Sequence, residues 1–343
     1  MDPLSHGILG ALAAQVAGKE KNIGVATAVG FVAALAPDLD VFIRSDSDPL
    51  LALEFHRQFT HSLIFIPIGA FVVALVFKLI LRSKHNLRNI YLWALAGFAT
   101  HGLLDACTSY GTQLLWPFSN RRVAWDCISI IDPIFTLILL SFLLGALWWR
   151  RFSIAKRAWI FALSYLALGV FQRERAGMIA VDLAASRGQK IESMRAMPSL
   201  ANLVLWKTIY ETNDRIYVDA VHILFSPVVL EGVSTRKIEN LEDLNDSIPA
   251  DSSLARDIER FRWFSDDRLF EPEGRPGVLA DARYSMLPNK LDPLWGIVLN
   301  PKEPDKHVKF ESFRNIESGT RRDVLEMLFA PRSGRFATSR DSL

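Results

Sequence analysis

The 343-residue chain has little cysteine: Cys107 and Cys127 are the only two. That is too few for a disulfide scaffold or a cysteine-based zinc module. They read as two buried free thiols, with pairing in an oxidising compartment as the alternative. The chain also has no long basic run, and 39 Lys/Arg against 37 Asp/Glu leave a net charge of +2. Bulk electrostatics therefore imply no nucleic-acid partner. The opening Met1-Asp2-Pro3 has no basic stretch, and no small-residue cleavage site follows an apolar run, so no cleaved signal peptide is expected.

Charge is scarce in one half only. Residues 1–172 hold 14 Lys/Arg and 10 Asp/Glu, against 25 and 27 in residues 173–343. Half of all residues are hydrophobic, 22% are charged, and the mean hydropathy is +0.18. That balance excludes a disordered chain and argues against a uniformly water-soluble one. The expected architecture is a membrane α-helical bundle over 1–172, followed by an α+β domain outside the membrane over 173–343.

A spanning helix needs about 20 mostly apolar residues. Stretches 62–82 and 128–149 meet that requirement. Stretch 22–43 does so apart from Asp38 and Asp40, and stretch 89–107 apart from His101 and Asp105. Stretches 4–18 and 158–171 are shorter and bring the expected number of hydrophobic helices to about six. Alternate connections carry nine basic residues: Lys19 and Lys21; Arg82, Lys84 and Arg88; Arg150, Arg151, Lys156 and Arg157. The opposite set carries only Arg44, Arg57, Arg121 and Arg122. The positive-inside rule puts the first set in the cytoplasm, and so places the N-terminus and the domain after Phe171 outside.

In that orientation His6, Asp38, Asp40, His56, His61, His101, Asp105, Asp126 and Asp132 all fall toward one face. Ionisable groups near hydrocarbon are costly and normally face a protein interior or a cavity. His101 and Asp105 stand four apart, so a helix stacks both on one side as two ligands of one ion. Alone, that pair also suits a histidine hydrogen-bonded to a carboxylate. Asp38 and Asp40 follow Pro37, which can begin a local break that turns both carboxylates outward. His56 and His61 precede the cleanest spanning segment, and His6 sits on a short Ser5-His6-Gly7 stretch. Each alone has a plainer reading as a helix end or an interfacial histidine. Asp126 is weak, and Asp132 before Pro133 suits a helix N-cap. Jointly, the set exceeds the three or four protein ligands of a single catalytic zinc. It suits one or two divalent ions, zinc foremost with manganese and magnesium open. His6, Asp38, Asp40, His61, His101 and Asp105 are the expected ligands, and His56 and Arg57 the expected catalytic pair. His56 would ligate the metal or donate a proton to a leaving oxygen, and Arg57 would hold a substrate anion.

The same residues carry a resemblance. Ser5-His6-Gly7, Pro37-Asp38-Leu39-Asp40, His56-Arg57, Thr60-His61-Ser62, His101 to Asp105 and Leu115-Trp116-Pro117-Phe118 resemble, in order, the YdjM family of membrane-bound metal-dependent hydrolases. The resemblance covers residues 1–131 and implies an inner-membrane hydrolase of unassigned substrate. A LexA-binding role attaches to the family name and implies such a partner by name alone. A more distant likeness, to zinc-dependent phospholipases C and single-strand nucleases, implies ligation by His6, Asp38 or Asp40, His61, His101 and Asp105. The chain departs from that group in lacking its later His-x-x-x-Glu element and its N-terminal tryptophan ligand, so a one- or two-metal site is the safer carry-over. The expected substrate is a phosphoester or ester of a lipid or lipid-linked molecule at the bilayer. The alternatives are a scaffold with a structural metal and an ion transporter, the latter disfavoured by the few ionisable residues toward the cytoplasm.

The second half reads as strands 206–211 and 216–222 around a turn at 212–215, further strands in 278–287, 294–299 and 307–313, and helices 251–264 and 320–329. An amphipathic helix over 173–189 leads into it. This half shows no repeat, low-complexity tract, phosphate-cradling glycine loop or nucleophile elbow, and its sequence names no chemistry.

Overall fold

A computed structural model describes residues 1–18, 22–80, 85–224, 226–240, 243–244, 248–313 and 320–329. Two compact units make up the chain: Met1–Phe42, Phe55–Phe171 and Leu200–Leu203 form the first; Ile43–Glu54, Gln172–Ser199 and Val204–Leu343 form the second. Lys19, Lys21, Arg82 and Lys84, which enter the basic-residue count, lie outside the described residues.

The first unit is helical. Its main helices are α1 (Pro3–Ala17), α2 (Ile23–Leu35), with α3 (Leu51–Phe55) next in chain order but, up to Glu54, in the second unit, then α4 (Ile66–Ile80), α5 (Leu87–Ala106), α6 (Pro133–Trp149) and the first part of α7 (Phe152–Ser186). Local chemistry sets the helix starts. Asp2 accepts the Ser5 N–H at 3.0 Å with Pro3 opening α1, and Asp132 accepts the Phe135 N–H at 3.0 Å with Pro133 opening α6. Such caps satisfy backbone donors that the helix leaves orphaned.

Among the described residues, three helical stretches are long and apolar enough to cross a membrane: Ile23–Phe42, Leu63–Ile80 and Phe152–Ser186. Helix α6, at 17 residues, is apolar but shorter. The 158–171 segment is not a short helix, as the sequence suggested. It continues through the polar stretch without a break, giving the 35-residue α7.

Helices α1, α2 and α5 cross almost backbone to backbone. A Cβ at Gly30 would strike the Gly10 carbonyl oxygen, and one at Gly97 would strike that of Gly30. Small residues permit this approach between apolar helices. The close crossing brings His6 of α1 against His101 of α5, rings stacked at 3.8 Å.

The second unit holds two four-stranded antiparallel sheets. Strands β1 (Ser193–Pro198), β2 (Leu205–Glu211), β3 (Arg215–Ile223) and β4 (Pro227–Arg236) follow in order in the first. Helix α8 (Ser253–Phe264) then leads to β5 (Leu269–Phe270), β6 (Val278–Asp281), β7 (Trp295–Val298) and β8 (Lys309–Ser312) in the second, with α9 (Thr320–Phe329) last. Met197, Ile209, Ile216 and Val218 of the first sheet share a core with Phe270 and Ala280 of the second. The α+β reading and the hairpin at 212–215 hold; β1 and β4 were not foreseen.

Candidate metal centre

Each side chain is delivered by a distinct local device within the first unit. Helix α2 gives way at Ala36 to a 3-10 helix, Ala36–Phe42, where Pro37 interrupts α-helical bonding. That tighter winding carries Asp38 and Asp40. A short 3-10 turn, Phe59–His61, holds His61 before the next apolar helix. Gly102, one residue past His101, lets α5 approach this turn, since a Cβ there would strike the His61 carbonyl oxygen.

Four of the six expected ligands, Asp38, His61, His101 and Asp105, converge on one point. His61 Nε2 lies 2.8 Å from His101 Nε2, 3.3 Å from Asp105 Oδ2 and 3.6 Å from Asp38 Oδ1. His101 Nε2 lies 3.4 Å from Asp38 Oδ1 and 3.5 Å from Asp105 Oδ2. One donor atom from each of Asp38, His61, His101 and Asp105 falls within 4.8 Å of the others. Asp38, Asp40 and His56 form a second such group that shares Asp38.

The proton inventory decides what this cluster wants. His101 Nδ1 faces the Ala34 carbonyl at 2.5 Å, which can only accept, so the ring proton sits on Nδ1. Thr60 Oγ1 donates its one proton to Asp40 Oδ2 at 2.9 Å and therefore accepts from His61 Nδ1 at 3.0 Å. With both rings neutral, the form in which histidine binds a metal, both Nε2 atoms present lone pairs to each other and to two carboxylates. Asp105 Oδ2 is fully buried and, among the described residues, has no hydrogen-bond partner. Four converging acceptors call for positive charge between them, either a metal cation or a second proton on His61, because unsatisfied buried acceptors are expensive. The residues fit a divalent metal, and two nitrogens with two carboxylate oxygens match zinc's ligand preferences.

The remaining expected residues take positions around these four. Asp40 sits behind His61, with its Oδ2 3.2 Å from Nδ1, and also accepts the Arg57 backbone N–H at 3.0 Å. Its Oδ1 lies 2.8 Å from His56 Nδ1. His6 Nε2 lies 3.0 Å from Asp105 Oδ1, while its buried Nδ1 has no partner. Arg57 is buried, reaches Asp105 Oδ1 at 3.2 Å, donates to Thr108 Oγ1 at 3.0 Å and stacks on Tyr110. The Met1 nitrogen also meets Asp105 Oδ1. Arg57 is thus committed to the protein in this arrangement rather than standing free for a substrate anion.

Exposure gives the cluster a direction. His61, His101, Asp105 and the Asp40 side chain are buried, whereas the Asp38 and His56 side chains keep 26% and 30% exposure. The cluster opens on the Asp38–His56 side. Asp132 is not part of it: it caps α6 and accepts from Tyr165 OH at 2.8 Å. Thr60, Thr108 and the Ala34 carbonyl were not foreseen as site groups. Thr60 adjoins His61 in sequence and Thr108 lies three past Asp105, so proximity was the only available signal.

Comparison with known proteins gives concordant relatives. The family model described as YdjM inner membrane protein matches residues 1–176. The inner membrane protein YbcI of Escherichia coli (strain K12) is 31% identical over 146 residues, covering 36% of this chain and 82% of YbcI. The uncharacterized protein YfhP of Bacillus subtilis (strain 168) is 27% identical over 140 residues, covering 39% of this chain and 42% of YfhP. The chain thus spans less than half the length of YfhP. No solved structure matches the chain.

Proposed function

The chain belongs to the YdjM inner membrane protein family, and from that premise we propose that it is a membrane-bound metal-dependent hydrolase. Its proposed substrate is a phosphoester or ester of a lipid or lipid-linked molecule, met at the extracytoplasmic face. The observation that carries this reading is the buried, partnerless Asp105 Oδ2 among the lone pairs of His61 and His101 and the Asp38 carboxylate. In the same reading about six hydrophobic helices form a multi-pass bundle and residues 173–343 lie outside the cytoplasm.

Asp38, His61, His101 and Asp105 would hold one zinc or similar divalent ion. When bound, such an ion supplies Lewis-acid polarisation of the scissile group and a nucleophile at neutral pH. The protein's own groups do the rest. Asp40 and Thr60 keep the proton on His61 Nδ1, and Ala34 O keeps it on His101 Nδ1, so both Nε2 atoms face inward. Arg57 and His6 bind the far oxygen of Asp105, which turns Oδ2 to the centre. His56, on the open side, is the proton donor to the leaving oxygen, its ring oriented by Asp40.

Hydrolysis of a generic phosphodiester and a generic ester by purified protein, with chelator and after metal return, tests this reading. Turnover that disappears with chelator and returns with zinc supports it. A second reading, a scaffold with a structural metal, draws support from the four protein ligands themselves, which would complete a closed tetrahedral site. That reading predicts bound metal without turnover on either substrate.

A further inference from the structure

The Leu115-Trp116-Pro117-Phe118 stretch supplies no ligand to the metal cluster. It forms the tip of a loop in the first unit whose arms close at an antiparallel bridge between Thr112 and Val123. Thr112 N–H donates to Val123 O at 3.0 Å, and Val123 N–H donates back to Thr112 O at 2.8 Å. Within the tip, Trp116 N–H donates to Gln113 O at 3.2 Å and Phe118 N–H to Leu115 O at 2.9 Å. The backbone is thus well tied, yet the apolar side chains turn away from the protein. Phe118 is 84% exposed and Leu115 50%. Adjacent bare apolar side chains on a firm backbone suit contact with a second apolar phase.

Two connections fix where the tip stands. Gln113 N–H donates to Arg57 O and Leu63 N–H to Leu114 O, both at 2.9 Å. The Phe59 and Trp116 rings also meet, with centroids 6.0 Å apart. The loop therefore braces the turn that carries Arg57 and His61. Leu63 is also the first residue of Leu63–Ile80, a stretch apolar and long enough to cross a membrane, and Leu63 and Ile64 are exposed. A second such stretch, Ile23–Phe42, ends with Leu39 and Phe42 exposed, in the segment that carries Asp38 and Asp40. The bare tip is thus continuous with the apolar outer surface of the spans at the end where the cluster lies. At its base Arg121 is exposed. Aromatic and aliphatic side chains with a cation behind them are what a membrane interface accepts, the first entering hydrocarbon and the last meeting phosphates.

We propose that the 115–118 tip inserts into the phospholipid leaflet on the cluster's side, with Arg121 at the depth of the phosphates. Resting on the hydrolase reading, the substrate is then a phospholipid of that same leaflet. Its headgroup meets the Asp38–His56 opening while its acyl chains stay in the bilayer. The brace from Gln113 to Arg57 O holds the opening at headgroup depth.

Full-length protein in phosphatidylcholine–phosphatidylglycerol vesicles tests the insertion. A bimane label on Phe118→Cys should be quenched by brominated acyl chains and shielded from iodide. The same label on Glu273→Cys, exposed in the sheet domain, should show the reverse. Wild type treated alike gives the background from the buried Cys107 and Cys127. Iodide quenching at 118 as strong as at 273 overturns the insertion. So does a label shielded from both quenchers, which would place a protein partner on the tip. Phe118→Asp tests the substrate. It should keep its metal and its rate on a water-soluble phosphodiester, and slow on vesicle phospholipid by about tenfold or more, the partition preference of one aromatic side chain. An unchanged rate on vesicles overturns delivery by the tip. If wild type hydrolyses neither compound, the hydrolase reading fails, and the bimane result still decides the insertion.

Discussion

His61 Nε2 and His101 Nε2 face each other at 2.8 Å, although the other nitrogen of each ring is already committed to an acceptor. Two imidazoles so arranged need positive charge, a metal cation or a shared proton, between them and the carboxylates of Asp38 and Asp105. The relationship joins a 3-10 turn at 59–61 to the fourth turn of α5, forty residues on. It exists because Gly102 allows the two backbones to meet.

Roles within the cluster separate by mutation. His101→Ala should abolish both metal binding and turnover. His56→Ala, on the partly exposed side, should retain the metal and lose roughly 10²–10⁴-fold in turnover. Metal content and hydrolysis rate measured on both variants check this. Complete metal loss in His56→Ala would make His56 a ligand.

Asp40→Asn preserves size but removes the carboxylate that orients His61, His56 and the Arg57 backbone. Groups behind a ligand typically contribute 10–100-fold in metal affinity. The variant should bind zinc weaker by that order, and competition with a chelating dye reads it. Affinity equal to wild type would remove Asp40 from its positioning role.

Gly102→Ala inserts a methyl group against the His61 carbonyl oxygen. Overpacking of this kind typically costs about 1–3 kcal/mol. The variant should unfold at a lower temperature and bind metal more weakly, because the displaced turn carries a ligand. A thermal transition and metal affinity both matching wild type would show that the turn yields freely.

The members of the cluster were legible because their chemistry is local in sequence. His101 and Asp105 share a helical face by spacing alone, and Asp38 and Asp40 follow a proline that breaks α-helical winding. What spacing could not reveal is which carboxylate faces the centre: Asp40 lies behind His61, a matter of how the 3-10 helix Ala36–Phe42 meets the Phe59–His61 turn. Arg57 was expected to face substrate, yet a positive φ of 66° turns it inward to Asp105. Helix α7 was read as two pieces because hydropathy falls at Gln172, while the backbone continues through the change. The burial of Lys207 was invisible for a different reason. Strand β2 is buried along its whole length, and only the fold brings Ser285, 78 residues away in sequence, to its amine.

Lys207 also gives a pH dependence with a definite sign. Its folded pKa of about 7 lies below the ordinary lysine value of 10.5. Between these values the unfolded chain binds the additional proton, so stability from this group rises with pH across roughly 7 to 10.5 and has no slope below. Denaturant unfolding of wild type and Lys207→Met across that range should show the variant's advantage shrinking as pH rises. A constant difference would mean that Lys207 stays charged in the fold.

The proposed topology rests on the basic-residue asymmetry. Reporter fusions after Ser83 and after Phe171 should read cytoplasmic and extracytoplasmic, respectively. A cytoplasmic signal after Phe171 would put the cluster's open side within reach of the cell interior and reverse the proposed substrate access.

The most direct test of the central claim is elemental analysis of the purified protein combined with X-ray absorption at the metal edge. The account predicts at least one equivalent of a divalent ion, with nitrogen and oxygen neighbours at about 2.0–2.2 Å, and its loss in His101→Ala. Wild-type protein that stays metal-free after incubation with zinc, or a bound ion whose neighbours are unchanged in His101→Ala, would contradict it.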